Sequence, residues 1–353
     1  MKKIILTGGG TAGHVTPNIA LVPQLKEAGF EIKYIGSEGG METKLVEDAG
    51  LDYQGISSGK LRRYFSWKNF SDPFRVLKGY FQAKKIIRKF KPDIVFSKGG
   101  FVTVPVVFAA AKYKVPVIIH ESDMTPGLAN KLAIKKSTKV CHNFPETAAY
   151  LGSKAVHTGS PIRKELFEGN KITALDMCGF SANKPVIMVT GGSLGAENVN
   201  KLVRKALPEL LKNFQVAHLC GKGKVDESLK DIEGYAQFEY ISDEMKDFFA
   251  MADLIISRAG ANSICEIAAL NKPNILIPLS ARASRGDQIL NAKSYKKQGF
   301  SEVIDEDTAT AEDLVNTVNS VYENRSKYID AMKKSAGTGG VDMIVDLINS
   351  LVK

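Results

Sequence analysis

The feature that most constrains this chain is a recurring order: a short, continuous apolar run rich in β-branched residues, then glycines, then a helical pattern. It occurs at Ile4-Ile5-Leu6-Thr7-Gly8-Gly9 and again at Ile187-Met188-Val189-Thr190-Gly191-Gly192. Strand candidates in the first half are Lys3–Thr7, Ile32–Ile35, Asp93–Ser97, Val115–His120 and Lys139–His142. Those in the second half are Val186–Thr190, Gln215–Leu219, Ala236–Tyr240, Leu254–Ser257 and Asn274–Pro278. Most are continuous rather than alternating, which suits strands covered on both faces. Strands taking turns with helices predict right-handed βαβ units and parallel sheets. The two strand–glycine–helix units lie about 180 residues apart, and a chain of this length holds roughly two domains. Two Rossmann-like halves follow, with a boundary where Gly159, Pro161, Gly169, Gly179 and Pro185 cluster.

Composition excludes several classes. Of the 353 residues 44% are hydrophobic and 24% charged, ordinary for a soluble globular protein and contrary to general disorder. The longest nearly unbroken apolar stretch, Val102 to Ala111, is too short to cross a bilayer. The apolar residues after Met1-Lys2-Lys3 are too few for a signal-peptide core. The expectation is a protein neither secreted nor membrane-spanning. Cys141, Cys178, Cys220 and Cys265 are far apart and form no CxxC, so a reducing compartment is expected, without disulfides or a cysteine zinc site.

Four glycine-bearing strand ends carry the chemistry. Gly8-Gly9-Gly10-Thr11-Ala12-Gly13-His14 contains GxGxxG between a strand and a helix, where a backbone can approach a ligand closely and a helix N-terminus can meet an anion. A dinucleotide would also need an acid at the end of the second strand, for which Glu38 is the candidate. The second loop is Ser97-Lys98-Gly99-Gly100-Phe101, and the third is Gly191-Gly192-Ser193-Leu194-Gly195-Ala196. The fourth unit runs from Ser257 through Ala261, Asn262 and Glu266, with Glu266 about a turn into the helix, in reach of a ribose diol. Gln288 and Asn291 share a helical face, and paired amides suit sugar hydroxyls. Two such loops per half fit two sheets whose carboxyl ends face each other across a cleft.

Among the histidines, His14 is expected to be exposed at a helix start, placed to act as a base or donor. His120-Glu121-Ser122 ends a strand, so both leading side chains could face the cleft. His142 and His157 read as structural. No His/Cys cluster has metal spacing, and Asp305-Glu306-Asp307 reads as a solvated loop.

Charge is concentrated. Between Lys60 and Lys91 stand eleven basic residues against one acid, Asp72, a balance equal to the net charge of +10 on the whole chain. Asp72-Pro73 predicts a helix start, with Val76, Tyr80, Ala83, Ile87 and Phe90 as its buried stripe. Arg62, Arg63 and Trp67, with Phe74, Leu77 and Phe81 beside the stripe, are surplus to such packing. Apolar residues ringed by Lys and Arg suit an anionic membrane surface. A nucleic-acid partner is not expected, since no RNA-binding pattern accompanies them.

Taken in order, these segments resemble a known family along nearly the whole chain. The matching pieces are Gly9–Pro17, Gly99-Gly100-Phe101-Val102, His120-Glu121-Ser122 with Gly127–Lys131, Gly159-Ser160-Pro161-Ile162-Arg163, Gly191–Ala196, Ser257–Glu266 and Asp287–Ala292. They resemble the MurG family, the bacterial peptidoglycan N-acetylglucosaminyltransferases of glycosyltransferase family 28 in the GT-B superfamily. The resemblance implies an α/β GT-B fold. Residues 1–163, joined by 339–353, would form the acceptor and membrane side, and 164–338 the UDP-GlcNAc-binding side.

The resemblance further implies transfer of GlcNAc from UDP-GlcNAc to undecaprenyl-diphosphoryl-MurNAc-pentapeptide (lipid I), giving lipid II and UDP, with inversion and a β-1,4 linkage. Ser193 and N–H groups near Ala261 and Asn262 would meet the diphosphate, Glu266 the ribose, and Gln288 and Asn291 the GlcNAc hydroxyls. Arg163 and the backbone of Ile241 match donor positions near the nucleotide end. Thr11, Ala12 and Gly13 match first-loop contacts to sugar or acceptor diphosphate, and Gly99, Gly100 and Asn130 fall on the acceptor side. Asp123 stands where some relatives carry Asn. The attacking C4 hydroxyl needs a base, for which His14 is the first candidate and Glu121 the second. No metal or other cofactor is expected. The implied location is the cytoplasmic face of the membrane, peripherally held, with other cell-wall synthesis or division proteins as partners. Three other readings stand beside this one: a UDP-GlcNAc 2-epimerase on the same architecture, an NAD-dependent oxidoreductase, and a non-enzymatic lipid- or nucleic-acid-binding protein.

Overall fold

The structure is a computed structural model that describes residues 1–59, 68–192, 195–335 and 339–352, with side chains throughout except at 68–71. The chain divides into two compact units, Met1–Arg163 with Gly339–Lys353, and Lys164–Thr338. The described strands of the first unit are β1 (Lys2–Thr7), β2 (Phe30–Ser37), β3 (Asp52–Ile56), β4 (Ile94–Ser97), β5 (Val117–Glu121), β6 (Lys139–His142) and β7 (Ala155–His157). They form one parallel sheet in the order β3-β2-β1-β4-β5-β6-β7. The second unit has β8 (Val186–Thr190), β9 (Gln215–Leu219), β10 (Tyr235–Phe238), β11 (Leu254–Ser257), β12 (Asn274–Leu276) and β13 (Ser301–Val303), parallel in the order β10-β9-β8-β11-β12-β13.

Why the strand runs are continuous is visible in β1. Ile4 and Leu6 enter a core with Leu21, Leu25 and Phe30, while Ile5 enters a second core with Ile35, Ala83, Val106 and Ile119. Successive side chains point to opposite faces and both faces are covered, so every position must be apolar. The helix Gly340–Leu351 belongs to the first core: Ile344 and Ile348 are buried there, and Lys2 Nζ donates to Asn349 Oδ1 at 3.1 Å. In each sheet the strand order reverses beside the central strand, between β1 and β4 and between β8 and β11. Ligands of open α/β sheets bind beyond the carboxyl ends of strands at such a reversal.

Three strands carry no continuous apolar run and are absent from the sequence reading: β3, β7 and β13. All three are sheet edges. An edge strand is covered less, so its sequence alternates or is simply short. A second difference concerns Asp72-Pro73, predicted as a helix start. The helix spans Lys68–Phe90, with Pro73 inside it and Asp72 buried. Proline near a helix start forfeits only one hydrogen bond, so it does not fix where the helix begins.

Candidate active site

In the first unit the two glycine loops close on each other. Lys98 N donates to Thr7 O at 2.9 Å, extending the β1–β4 pairing by one residue. At Gly100, which has φ +92°, a Cβ would lie 2.3 Å from the Gly9 carbonyl oxygen, so only glycine permits this approach. Beneath the first loop lies Glu42, fully buried, accepting from Ser37 N at 2.7 Å and Gly10 N at 3.3 Å. Glu38, the acid considered for a dinucleotide ribose, instead accepts from Gln82 Nε2 at 2.7 Å.

Thr11 and Ala12 are exposed on this loop and Gly13 is half-buried. His14 departs from expectation. It closes the short turn Ala12–His14 half-buried rather than exposed, and its Nδ1 is buried with no hydrogen-bond partner among the described residues. Burial, and after it the Lys98 ammonium, push its pKa down to about 4, against the opposing pull of a hydrogen bond with the Lys98 backbone and of the Glu42 carboxylate. His14 is therefore neutral at physiological pH, the form a base needs.

At the end of β5, His120 is fully buried, not directed to a ligand. Its Nε2 donates to Gly159 O at 2.9 Å, leaving Nδ1 to accept from Lys98 Nζ at 2.8 Å; Ser122 Oγ is the ammonium's other close partner. Burial first, then Lys98, holds the His120 pKa well below its ordinary value. Glu121 is also buried. Its Oε1 accepts from Asp123 N at 3.1 Å, and its Oε2 from Gly127 N at 3.1 Å and Asn130 Nδ2 at 2.8 Å. Burial pushes its pKa up to about 7, with these hydrogen bonds pulling the other way. Asn130 is buried, with its Nδ2 on Glu121 Oε2 and its Oδ1 without a hydrogen-bond partner among the described residues. Asp123 is half-buried on that loop.

The second unit collects a different set. The helix Ala261–Ala269 follows β11, and its first intrahelical bond is Ile264 N to Gly260 O, so the N–H groups of Ala261, Asn262 and Ser263 precede the ladder. That is the anion-facing end of a helix. Glu266 is half-buried further along it. Asn291 is 0% exposed, and its Nδ2 donates to Ala259 O at 3.2 Å in the loop before this helix. Gln288, half-buried, accepts from Leu279 N at 2.9 Å through Oε1. Glu306 also departs from the solvated reading. It pairs with the buried Arg258 guanidinium and accepts from Ser280 N at 2.9 Å, while Asp307 accepts from Ser280 Oγ at 2.8 Å. Burial raises the Glu306 pKa, but the bonds from Arg258 and Ser280 outweigh it and hold it below the ordinary value. Arg258 Nη1 further donates to Ile277 O at 3.0 Å and Pro278 O at 3.2 Å. Ile241 is buried, and Arg163, half-buried, ends the first stretch of the other unit. Ser193 lies outside the described residues.

On the basic helix Lys68–Phe90, Ala83, Ile87 and Phe90 are buried against the sheet while Phe74 is 75%, Leu77 53% and Phe81 58% exposed. Arg62, Arg63 and Trp67 lie outside the described residues. Among the described residues no helix is long and apolar enough to cross a membrane, and no group of three His, Cys, Asp or Glu is placed to hold a metal. Four residues central to these sites were missed as such in the sequence: Glu42, Lys98, Arg258 and Glu306. Each is a charge beside a glycine loop or strand end, and Lys98 between the apolar run 94–96 and Gly99-Gly100 was the one visible signal of a buried cation.

Comparison with known proteins gives these sites a family. The N-terminal domain of glycosyltransferase family 28 matches residues 4–142, and the C-terminal domain of the same family matches 186–347. A protein of Lachnospira eligens, named UDP-N-acetylglucosamine--N-acetylmuramyl-(pentapeptide) pyrophosphoryl-undecaprenol N-acetylglucosamine transferase, is 64% identical over 349 residues, 99% of each chain. The crystal structure of Acinetobacter baumannii MurG superposes with a TM-score of 0.76 at 27% identity, covering 99% of this chain and 100% of that one. A UDP-GlcNAc 2-epimerase from Neisseria meningitidis has a TM-score of 0.71 at 13% identity, covering 99% and 100%, a likeness of fold alone. The fold is thus common to transferases and epimerases, but identity along the full length is not, and the chain belongs to the MurG family of N-acetylglucosamine transferases within glycosyltransferase family 28.

Proposed function

We propose that this protein transfers GlcNAc from UDP-GlcNAc to the C4 hydroxyl of undecaprenyl-diphosphoryl-MurNAc-pentapeptide, with inversion, forming a β-1,4 linkage and releasing UDP. The observation that carries the reading is the 64% identity, over 99% of both chains, with a relative named for that reaction. In the reaction the acceptor oxygen bonds to the anomeric carbon, the bond from that carbon to the diphosphate breaks, and the hydroxyl proton goes to His14. His14 suits the base because it is neutral, half-buried and beside the first glycine loop. An acceptor diphosphate over that loop would raise its proton affinity, opposite in sign to Lys98. Glu121, two of its hydrogen bonds spent on the 122–127 loop and a third on Asn130, is read as holding that loop and Asp123.

The departing UDP gains charge, which the N–H groups opening the helix Ala261–Ala269 stabilise without reorganising. Glu266 takes the ribose diol and Gln288 the GlcNAc hydroxyls; Asn291 keeps the Ala259–Gly260 turn in place. Ser193, Arg163, Ile241, Thr11, Ala12 and Gly13 complete the substrate contacts, and Gly99 and Gly100 the acceptor loop. The exposed Phe74, Leu77 and Phe81 among lysines would seat the protein on the cytoplasmic membrane surface, where the lipid acceptor resides.

Turnover of labelled UDP-GlcNAc with and without a lipid I analogue tests the reading. UDP release that requires the analogue, with GlcNAc on the lipid, is expected. Turnover without acceptor would transfer the assignment to an epimerase. Replacing Phe74, Leu77 and Phe81 by Ser is expected to weaken binding to anionic vesicles about tenfold or more while UDP affinity stays. Unchanged sedimentation with vesicles would remove the membrane role.

A further inference from the structure

We propose that Lys98 is a positioning residue for the transfer: its buried ammonium ties the second glycine loop to the end of β5 and sets the electric field in which His14 takes up the acceptor's proton. The inference rests on the proposed role of His14. Lys98 is 1% exposed, so it cannot touch substrate and must act through its neighbours. Those neighbours lie at three strand ends besides its own. Its N–H meets Thr7 O at the end of β1, its Nζ meets His120 and Ser122 at and beyond the end of β5, and His120 carries the tie onward to Gly159 after β7. Lys98 itself follows β4 and precedes Gly99-Gly100.

A charge inside a protein interior is felt more strongly than in water, and taking it out of water is costly. A chain that needed only a strut here could use a neutral donor. The ammonium adds a positive charge at the end of β5 whose field reaches His14 in the first glycine loop. His14 hydrogen-bonds the Lys98 backbone and feels both that charge and the Glu42 carboxylate under the loop; the nearby Tyr34 phenol, donating to Gly8 O at 3.0 Å, stays neutral. Of the two charges Lys98 acts in the direction that keeps the His14 imidazole free of a proton in the resting enzyme. It is then available when acceptor arrives.

The test uses the full chain and two variants. Lys98→Gln keeps N–H donors for His120 and Ser122 but removes the charge; Lys98→Met removes both. His14 titration is followed by NMR of labelled histidine, assigned with His14→Asn, beside the pH profile of kcat/KM. In both variants His14 should titrate about one unit or more higher, and the acid limb should move up with it. Lys98→Met alone should also raise the acceptor KM, about tenfold, with the UDP Kd unchanged. A strut would lower the melting temperature and leave both titrations where they are. Unmoved His14 titration in either folded variant overturns the proposal, as does an acid limb that moves without His14. Ser122→Ala, which leaves the charge in place, should not move His14, and a shift there would equally count against it. Failure of the transferase reading is separate: the wild-type chain would then show no lipid-dependent turnover at all.

Discussion

The two strand-order reversals, between β1 and β4 and between β8 and β11, are built to one plan and furnished differently. The first is lined by ionisable side chains, Glu42, Lys98, His120 and Glu121 buried and His14 half-buried with its Nδ1 covered. Their burial moves proton affinities, His14 down to about 4 and Glu121 up to about 7. The second presents a helix N-terminus and neutral amides, and its principal buried charges, Arg258 and Glu306, satisfy each other. The lesson is a division of labour within one topology. Shifted acids and bases suit proton transfer to and from an acceptor, whereas fixed dipoles suit a diphosphate whose charge only needs a place to rest.

The largest effect expected from breaking this division is at His14. His14→Ala should lower kcat by about 10²–10⁴ while calorimetric UDP-GlcNAc affinity holds. The wild-type profile sharpens the point, because a base at His14 puts the acid limb of kcat/KM near pH 4, and a base at Glu121 puts it near pH 7. A limb near 7 would pass the role to Glu121. Next comes the ion pair of the second unit. Arg258→Ala strands a buried carboxylate and should cost about 3–5 kcal/mol in chemical denaturation, whereas Arg258→Met with Glu306→Leu should recover most of it. No recovery in the double variant would mean that Arg258 works mainly through the Ile277 and Pro278 carbonyls.

The two carboxylates should also respond to pH with opposite sign. Glu306, lowered in the folded chain, contributes stability above the ordinary 4.5 that is lost as pH falls through its folded value. Glu121, raised, contributes stability that is full below 4.5 and lost as pH rises through about 7. The unfolding free energy of wild type relative to Glu121→Gln, followed by chemical denaturation, should therefore fall between pH 5 and pH 8, by an amount on the order of 3 kcal/mol at most. A flat difference would show that the loop's hydrogen bonds cancel the cost of burial. Smallest of all, Glu266→Ala should weaken UDP binding about 10- to 150-fold by loss of charge-assisted hydrogen bonds, with kcat less affected. Equal loss of kcat and affinity would blur the contrast between a binding half and a reacting half.

Much of this was legible beforehand. The strands covered on both faces, β1, β4, β5, β8 and β11, announce themselves because each residue must be apolar, and the glycines after them because no side chain fits where Gly100 meets Gly9. The edge strands β3, β7 and β13 were not legible, since half-covered positions impose no such rule. Site residues divided the same way. Glu266 and the first loop could be named as candidates from their place after a strand, whereas the burial of Asn130 and Asn291 and their bonds to Glu121 and Ala259 could not be read there.

The sequence by itself therefore determined the two parallel sheets, the loops at their carboxyl ends and, through resemblance along its length, the family. Those are consequences of local pattern, read one neighbour at a time. Only the tertiary structure decided the proton affinities. His14 is neutral, Glu121 raised and Lys98 an interior cation because segments far apart in the chain, after β1, β4, β5 and β7, exclude water together at one end of a sheet. Desolvation depends on everything packed around a group, and no window of sequence contains that.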